Sequence, residues 1–305
     1  MLDKLDYILA LAREKHFGRA AEACAVTQPT LSAGIKQLEE KMGVLLVNRG
    51  SRFQGFTPEG ERVLEWARRI VGDTRAMQEE IDTLKRGLVG RLRIAVIPTA
   101  LATVAALTTP YREKHPNVQF TVYSRTSTEI LDLLENLEID AGITYVENEP
   151  IGRVTTVPLY RERYRLLTSA DSPLGGRGTV TWAEVAQLPL CLLTPDMQNR
   201  RIIDRLLRGA GGESRPTLES DSMILLFSHV RTGRWSSVMP AKIGETLGLT
   251  EAIRAIPITE PEAVQTIGLV APAREPTTPL IAALVEEARK FGLPQNSSAR
   301  KKRQA

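Results

Sequence analysis

Apolar residues near the start of the chain recur at helical spacing in successive short sets. Leu5, Ile8, Leu9 and Ala12 fall at i, i+3, i+4 and i+7, the stripe of a first helix. Phe17 follows, and Gly18-Arg19-Ala20-Ala21 opens a second short helix whose small residues allow close packing. Leu31, Ile35, Leu38 and Met42 then mark the buried face of a third helix, with Thr27 as its N-cap and Pro29 in its first turn. Opposite that stripe lie Pro29, Ser32, Ala33 and Lys36, flanked by Gln28, Thr30 and Gln37. These short polar groups, one methyl and one cation can come close to base edges and phosphates. Leu45, Leu46 and Val47 read as a short strand, and Asn48-Arg49-Gly50-Ser51-Arg52 as a turn whose Arg49 and Arg52 can hold phosphates. Three helices and a basic wing in this order predict a winged helix-turn-helix, which sets its third helix in the major groove of DNA.

A longer helix comes next. Thr57 caps it, Pro58 suits its first position, and Glu59 and Glu61 suit the positive end of its dipole. Val63, Ala67, Ile70, Thr74, Met77, Ile81, Leu84 and Leu88 alternate spacings of four and three, a heptad seam along a helix from Pro58 to Arg86. The seam fits pairing between two subunits, and it also fits packing on the chain's own domain. Beyond Gly87 and Gly90 the rhythm changes to strands alternating with helices. Strands at Leu92–Ile97, Val118–Tyr123 and Ile139–Tyr145 alternate with helices at Leu101–Lys114 and Thr128–Leu137. The pattern runs on to a helix at Pro279–Phe291 and predicts an α/β module with a mostly parallel sheet, in two lobes.

The segments HFGRAAEACAVTQPTLSAGIKQLEEKMGV, VNR and FTPEG resemble the N-terminal domain of LysR-type transcriptional regulators, closest to the peroxide-sensing branch. Ala20-Ala21, Gln28-Pro29, Ser32, Ile35, Leu38-Glu39 and Gly43 carry that resemblance. Val47 stands where the family usually has Phe, and Gly34, near a position commonly polar, costs a helix about 1 kcal/mol relative to Ala. LEIDAGITY and VRTGRWSSVMP resemble two motifs of the family's effector module, with Trp235 where Gly is usual. The resemblance implies a cytoplasmic DNA-binding homodimer or homotetramer, paired through the long helix at Val63, Ala67, Ile70, Met77, Ile81 and Leu84. It also implies a two-lobed module similar to periplasmic binding proteins, controlled by a small effector, with RNA polymerase as a further partner. The expected boundaries are 1–57 for the winged head, 58–90 for the linker helix and 91–293 for the module. Lobe one would take about 91–167 and 267–293, lobe two about 168–266, and 294–305 would form a disordered basic tail.

Open α/β modules bind ligands where strand ends meet helix N-termini. Pro98, Thr99 and Ala100 follow the first strand, Thr126, Ser127 and Thr128 precede the second helix of the module, and Leu193, Thr194, Pro195 and Met197 lie at a strand end of the second lobe. The family resemblance implies that the first two of these loops contribute to an effector pocket. Hydroxyls and amides there, without an evident buried Arg, suggest a small anion.

Composition narrows the alternatives. The formal charge of +4 equals the four cations of Arg300-Lys301-Lys302-Arg303, so net charge says nothing about the DNA-reading head. There is no run of apolar residues long enough for a membrane span and no export signal, which weighs against the rival reading of a periplasmic solute-binding protein. His16, His115 and His229 are scattered, and nucleophile elbows, P-loops and dinucleotide fingerprints are missing, so an enzyme, a metal site and a cofactor are not expected. The peroxide-sensing branch senses through a pair of cysteines in the effector module, whereas here only Cys191 lies in that module and Cys24 lies in the head. Both are expected to be buried and inert.

Overall fold

The computed structural model describes residues 1–48, 50, 53–147, 152, 154–212, 215–247 and 251–292. These divide into two compact units. One holds Met1–Val89 with Leu133–Glu138 and Arg274–Leu280; the other holds Gly90–Asp132, Ile139–Ala273 and the segment from Ile281.

The first unit opens with α1 (Leu2–Glu14), α2 (Phe17–Ala23) and α3 (Gln28–Met42). Leu5, Ile8 and Leu11 of α1, Ala20 and Ala21 of α2, and Leu31, Ile35 and Leu38 of α3 meet in one core. Leu11 is fully buried, whereas Leu9 and Ala12 are only partly covered, so the stripe of α1 is rotated slightly from the predicted one. Met42 is 40% exposed and does not belong to the buried stripe of α3, which ends at Leu38. Thr27 caps α3 by accepting from the Thr30 amide, and Gly43 ends it in the left-handed conformation, φ 71°. The ring of Tyr7 lies where a Cβ on Gly34 would point, with its Cδ2 2.6 Å away. Glycine is therefore required for helix packing, and Ala would gain nothing there despite its better propensity.

After α3, a single bridge joins Val47 to Phe56 in place of the short strand that the sequence suggests. The Glu39 carboxylate holds this segment by accepting from the amides of Leu46 (2.8 Å) and Val47 (3.2 Å). Thr57 then starts α4 (Pro58–Arg86), its hydroxyl accepting from the Gly60 amide and donating to the Leu45 carbonyl. Leu64, Ala67 and Val71 bury against the three-helix core.

The second unit begins with β1 (Gly90–Val96), a 3-10 turn over Pro98–Thr103, α5 (Val104–Lys114), β2 (Val118–Ser124), α6 (Ser127–Glu135) and β3 (Ala141–Tyr145). Next come β4 (Val154–Ser169), β5 (Val180–Thr181), α7 (Trp182–Val185), β6 (Cys191–Leu193), α8 (Gln198–Gly209), β7 (Leu218–Ser220) and α9 (Met223–Val230). The unit closes with β8 (Ser237–Pro240), α10 (Ala241–Leu247), β9 (Ile253–Thr259), β10 (Val264–Pro272) and α11 (Pro279–Phe291).

The main sheet has the order β2-β1-β3-β10-β4-β9-β5, with β8 also on β4, and β6 and β7 form a small parallel pair. It is mixed, not mostly parallel: β1 runs parallel to β2 and β3, while β10 is antiparallel to β3 and β4, and β4 to β8 and β9. β4 is the strand shared between lobes. Val154–Arg163 pairs with β10, and Tyr164–Ser169 pairs with β8 and β9. Pro158, inside this strand, has no N–H to give, and the register shifts beside it, between Ile267 and Gly268. Such an irregularity is how an interior strand accommodates proline.

Candidate DNA-reading face and effector cleft

The outer face of α3 is presented to solvent as the periodicity requires. Gln28, Pro29, Thr30, Ala33, Lys36 and Gln37 are exposed, and Ser32 is half-buried. Lys36 makes only a loose pair with Glu40, 3.8 Å apart with both side chains well exposed, so its charge remains available. Arg49 and Arg52, expected on the phosphates, lie outside the described residues, as do the basic residues Arg300 to Arg303 of the tail.

Along α4 the predicted seam divides. Ala67 is fully enclosed in the core of its own domain and Val63 is half-buried against it, so Ala67 is not open to a second subunit. Ile70, Met77, Ile81 and Leu84 are 37%, 59%, 47% and 78% exposed, and Trp66 adds 56% beside them. The first turns of α4 complete a domain core; its later turns carry an apolar face that the described residues leave exposed.

In the second unit a small cleft opens between the lobes. Ile97, Pro98, Thr99, Ser127 and Tyr145 line one side, and Leu193, Met197, Gln198 and Asn199 the other. Its empty space is about 190 Å³ with the open mouth included, and little of that space is enclosed. Of the residues expected here, Pro98, Thr99, Ser127, Leu193 and Met197 take their places, and Thr128 does not line the cleft. Ala100 is buried and absent from the lining, and Thr126 is spent on capping: its hydroxyl accepts from the Glu129 amide while its own amide donates to the Glu129 carboxylate. Thr194 is half-buried and offers its carbonyl to the Met197 amide, and Pro195 is exposed, so neither lines the cleft.

Tyr145, Gln198 and Asn199 also line the cleft; Tyr145 closes the LEIDAGITY segment, whereas no local motif marks Gln198 or Asn199. Tyr145 donates to Glu162 Oε1 at 2.7 Å, accepts from Asn199 Nδ2 at 3.3 Å, and stands 3.5 Å from the Thr99 hydroxyl. Glu162, on β4, is 2% exposed, and no ion pair neutralises it among the described residues. Burial pushes its carboxyl up to about 7, while the hydrogen bond from Tyr145 pulls the other way. Tyr145 and Tyr164 are held far above the ordinary phenol value by the same burial and by the charge of Glu162. Arg200, at the start of α8, is also buried, but its charge is matched by Asp204 (2.6 Å) and Glu219 (2.7 Å), and its Nη1 also donates to the Leu193 carbonyl.

Cys191 is 0% exposed and burial pushes its thiol up to about 11, so it carries almost no thiolate at neutral pH. Cys24 is half-buried in the other unit, its thiol also raised by burial, and both are free. Among the described residues there is no group of three His, Cys, Asp or Glu placed to hold a metal, and no helix long and apolar enough to cross a membrane.

A three-helix head with a polar outer face, joined to a two-lobed module with a small cleft, defines a ligand-controlled DNA-binding protein. The chain belongs to the LysR family: residues 2–61 match the bacterial regulatory helix-turn-helix protein of the lysR family, and residues 85–292 match the LysR substrate binding domain. It is similar to the hydrogen peroxide-inducible genes activator of Haemophilus influenzae, 28% identical over 277 residues, which span 87% of this chain and 88% of that one. A full-length OxyR from Pseudomonas aeruginosa, solved with one cysteine replaced by aspartate, superposes with a TM-score of 0.73 at 27% identity, covering 95% of this chain and 97% of that one. The regulator CbnR, in complex with its target DNA, shares the fold at a TM-score of 0.60 and 21% identity, covering 96% of this chain and all of that one, 100%. The protein is a LysR-type DNA-binding transcriptional regulator with an effector-binding domain, in a family whose members form oligomers. A solute-binding protein would have no use for the head.

Proposed function

We propose that α3 reads DNA through Gln28, Pro29, Thr30, Ser32, Ala33 and Lys36, with Arg49 and Arg52 on the phosphates, and that the cleft around Thr99 and Ser127 receives the controlling effector. The observation that carries this reading is the outer face of α3, which is exposed over the whole stretch from Gln28 to Lys36 apart from its core stripe and Ser32, and bears short polar groups where solvated helices carry long acidic and basic ones. The exposed turns of α4 pair two chains, so two heads meet one DNA site. An effector that binds one lobe arrangement better shifts the population of states and with it the action on RNA polymerase. Work on DNA puts the protein in the cytoplasm and gives it the role of a regulator, not a catalyst.

The regulators it resembles include activators of hydrogen peroxide-inducible genes. Control by a cysteine pair does not suit this chain, because its module has one cysteine and that thiol is enclosed and protonated. Gel shifts against DNA selected by the wild-type protein from a random pool test the head. Lys36→Ala should weaken binding to all sequences and lower the slope of log affinity against log salt by about 1, whereas Thr30→Ala should relax base preference. Unchanged binding by Ser32→Arg combined with Lys36→Glu would show that another surface reads the DNA.

A further inference from the structure

Two residues that line the cleft each hold a buried polar atom with no hydrogen-bond partner among the described residues. These are Ser127 Oγ on one side and Gln198 Oε1 on the other, in residues only 3% and 4% exposed. Buried polar atoms are nearly always paired, so two orphans on residues lining one cavity mark a place built for a guest. Gln198 Oε1 accepts and cannot donate, so the guest must bring an O–H or N–H. The first turn of α8 makes the opposite demand. Its N-cap, Met197, provides no side-chain hydrogen bond, and the first amides of the helix call for an acceptor. A guest that both donates and accepts meets both.

Charge decides further. The other helix start at the cleft, that of α6, already carries a carboxylate, since Glu129 Oε2 accepts from the Thr126 amide at 2.8 Å. The buried Arg200 is matched by Asp204 and Glu219. Behind the cleft stands Glu162, linked to it through Tyr145 and Asn199. The groups around Glu162 are the phenols of Tyr145, Tyr160 and Tyr164 and the hydroxyl of Thr99, and the Lys242 ammonium on that side lies over the Tyr160 ring, 4.0 Å from its centre. A negative guest would compete with the ionised form of Glu162, whose carboxyl burial has pushed up to about 7, because like charges repel most strongly in a poorly polarisable interior.

We propose that the cleft binds a small uncharged molecule carrying at least one hydroxyl, seated between Ser127 and Gln198, and that Glu162 keeps anions out. The proposal rests on the cleft being the effector site, and it replaces the anion expected from the sequence with a neutral donor and acceptor. The hydroxyl gives its proton to Gln198 Oε1, its oxygen accepts from the first turn of α8, and Ser127 serves as donor or acceptor as the guest requires.

Two measurements on the full chain test this. The first follows melting with pairs of molecules that differ in charge: ethylene glycol against glycolate, propane-1,2-diol against lactate, and glycerol against glycerate. Each is repeated on Thr99→Val combined with Ser127→Ala. A neutral member should raise Tm in the wild type and lose that effect in the variant, while its carboxylate partner does neither. A carboxylate that stabilises the wild type but not the variant overturns the neutral ligand yet upholds the cleft. A shift that survives in the variant places the guest elsewhere and sinks both readings.

The second measurement needs no ligand and decides the matter if the first finds no binder. Gln198→Glu plants a carboxylate in the cleft, and its Tm, relative to Gln198→Met, should fall between about pH 5 and about pH 8 as that group ionises. Adding Glu162→Gln should shrink the loss. A deficit equal at both pH values, or one that Glu162→Gln leaves untouched, overturns the proposal.

Discussion

Glu162→Gln removes a buried carboxyl that titrates near neutrality and leaves an amide oxygen to accept from Tyr145. In the folded protein burial pushes this carboxyl up from 4.5 to about 7. The native state therefore holds the proton more tightly than the unfolded chain does. The stabilisation is complete below about pH 4.5 and lost as pH rises through about 7. The rise from 4.5 to about 7, at about 1.36 kcal/mol per pH unit, corresponds to about 3 kcal/mol over that window. No discount for solvent screening applies to a side chain 2% exposed. For a domain of this size each kcal/mol moves Tm by about 2–4 °C, so the contribution amounts to about 6–12 °C. The amide variant has no such window. Its Tm relative to the wild type should climb by that amount between about pH 4.5 and about pH 8, by differential scanning calorimetry in matched buffers. Other titrating groups contribute equally to both proteins and cancel in the difference. A gap between variant and wild type that stays constant across this range would show that Glu162 is solvated or neutralised in solution, and Glu162 could then not keep anions out of the cleft.

Two further variants address the first unit. Asp at both Ile70 and Ile81 places charges on the exposed apolar face of α4 and should split the assembly into monomers by light scattering, with helix content unchanged; an unaltered mass would mean that this face is not where the chains meet. Leu31→Ala empties a fully buried position beneath the reading face, 0% exposed, and should cost about 2–5 kcal/mol in denaturant unfolding of the head; a loss under about 1 kcal/mol would mean that the three-helix core repacks freely.

The head was legible in the chain because its information is local. A cap, a proline in the first turn and a stripe at spacings of three and four place α3 at Gln28–Met42 and α4 at Pro58–Arg86 without reference to any distant residue. The same signals that bury Leu31, Ile35 and Leu38 leave Gln28, Thr30 and Lys36 facing outward. Even here tertiary packing corrected what periodicity alone implies. Gly34 is required by the Tyr7 ring, which comes from another helix, and Ala67 follows the heptad yet is claimed by its own domain's core.

The α/β character of the second unit was likewise carried by alternating patterns, but its sheet was not. β4 conceals its length behind Pro158 and the charged run Arg161-Glu162-Arg163, and β9 contains Pro257; both are strands only because partners across the sheet supply the pairing. That pairing also decides the cleft. Ile267 of β10 lies in register with Tyr145 on one side and Tyr160 on the other, and so draws Tyr145 and Glu162 into hydrogen-bond range across seventeen positions of chain. Asn199 arrives from the other lobe, 54 positions beyond Tyr145. Periodicity, caps and turn residues report forces that act within a few residues, and the chain by itself determined the elements that such forces build. A buried carboxylate, the phenol that meets it and the orphaned polar atoms of the cleft arise from strand register and lobe packing, and only the tertiary structure decides those.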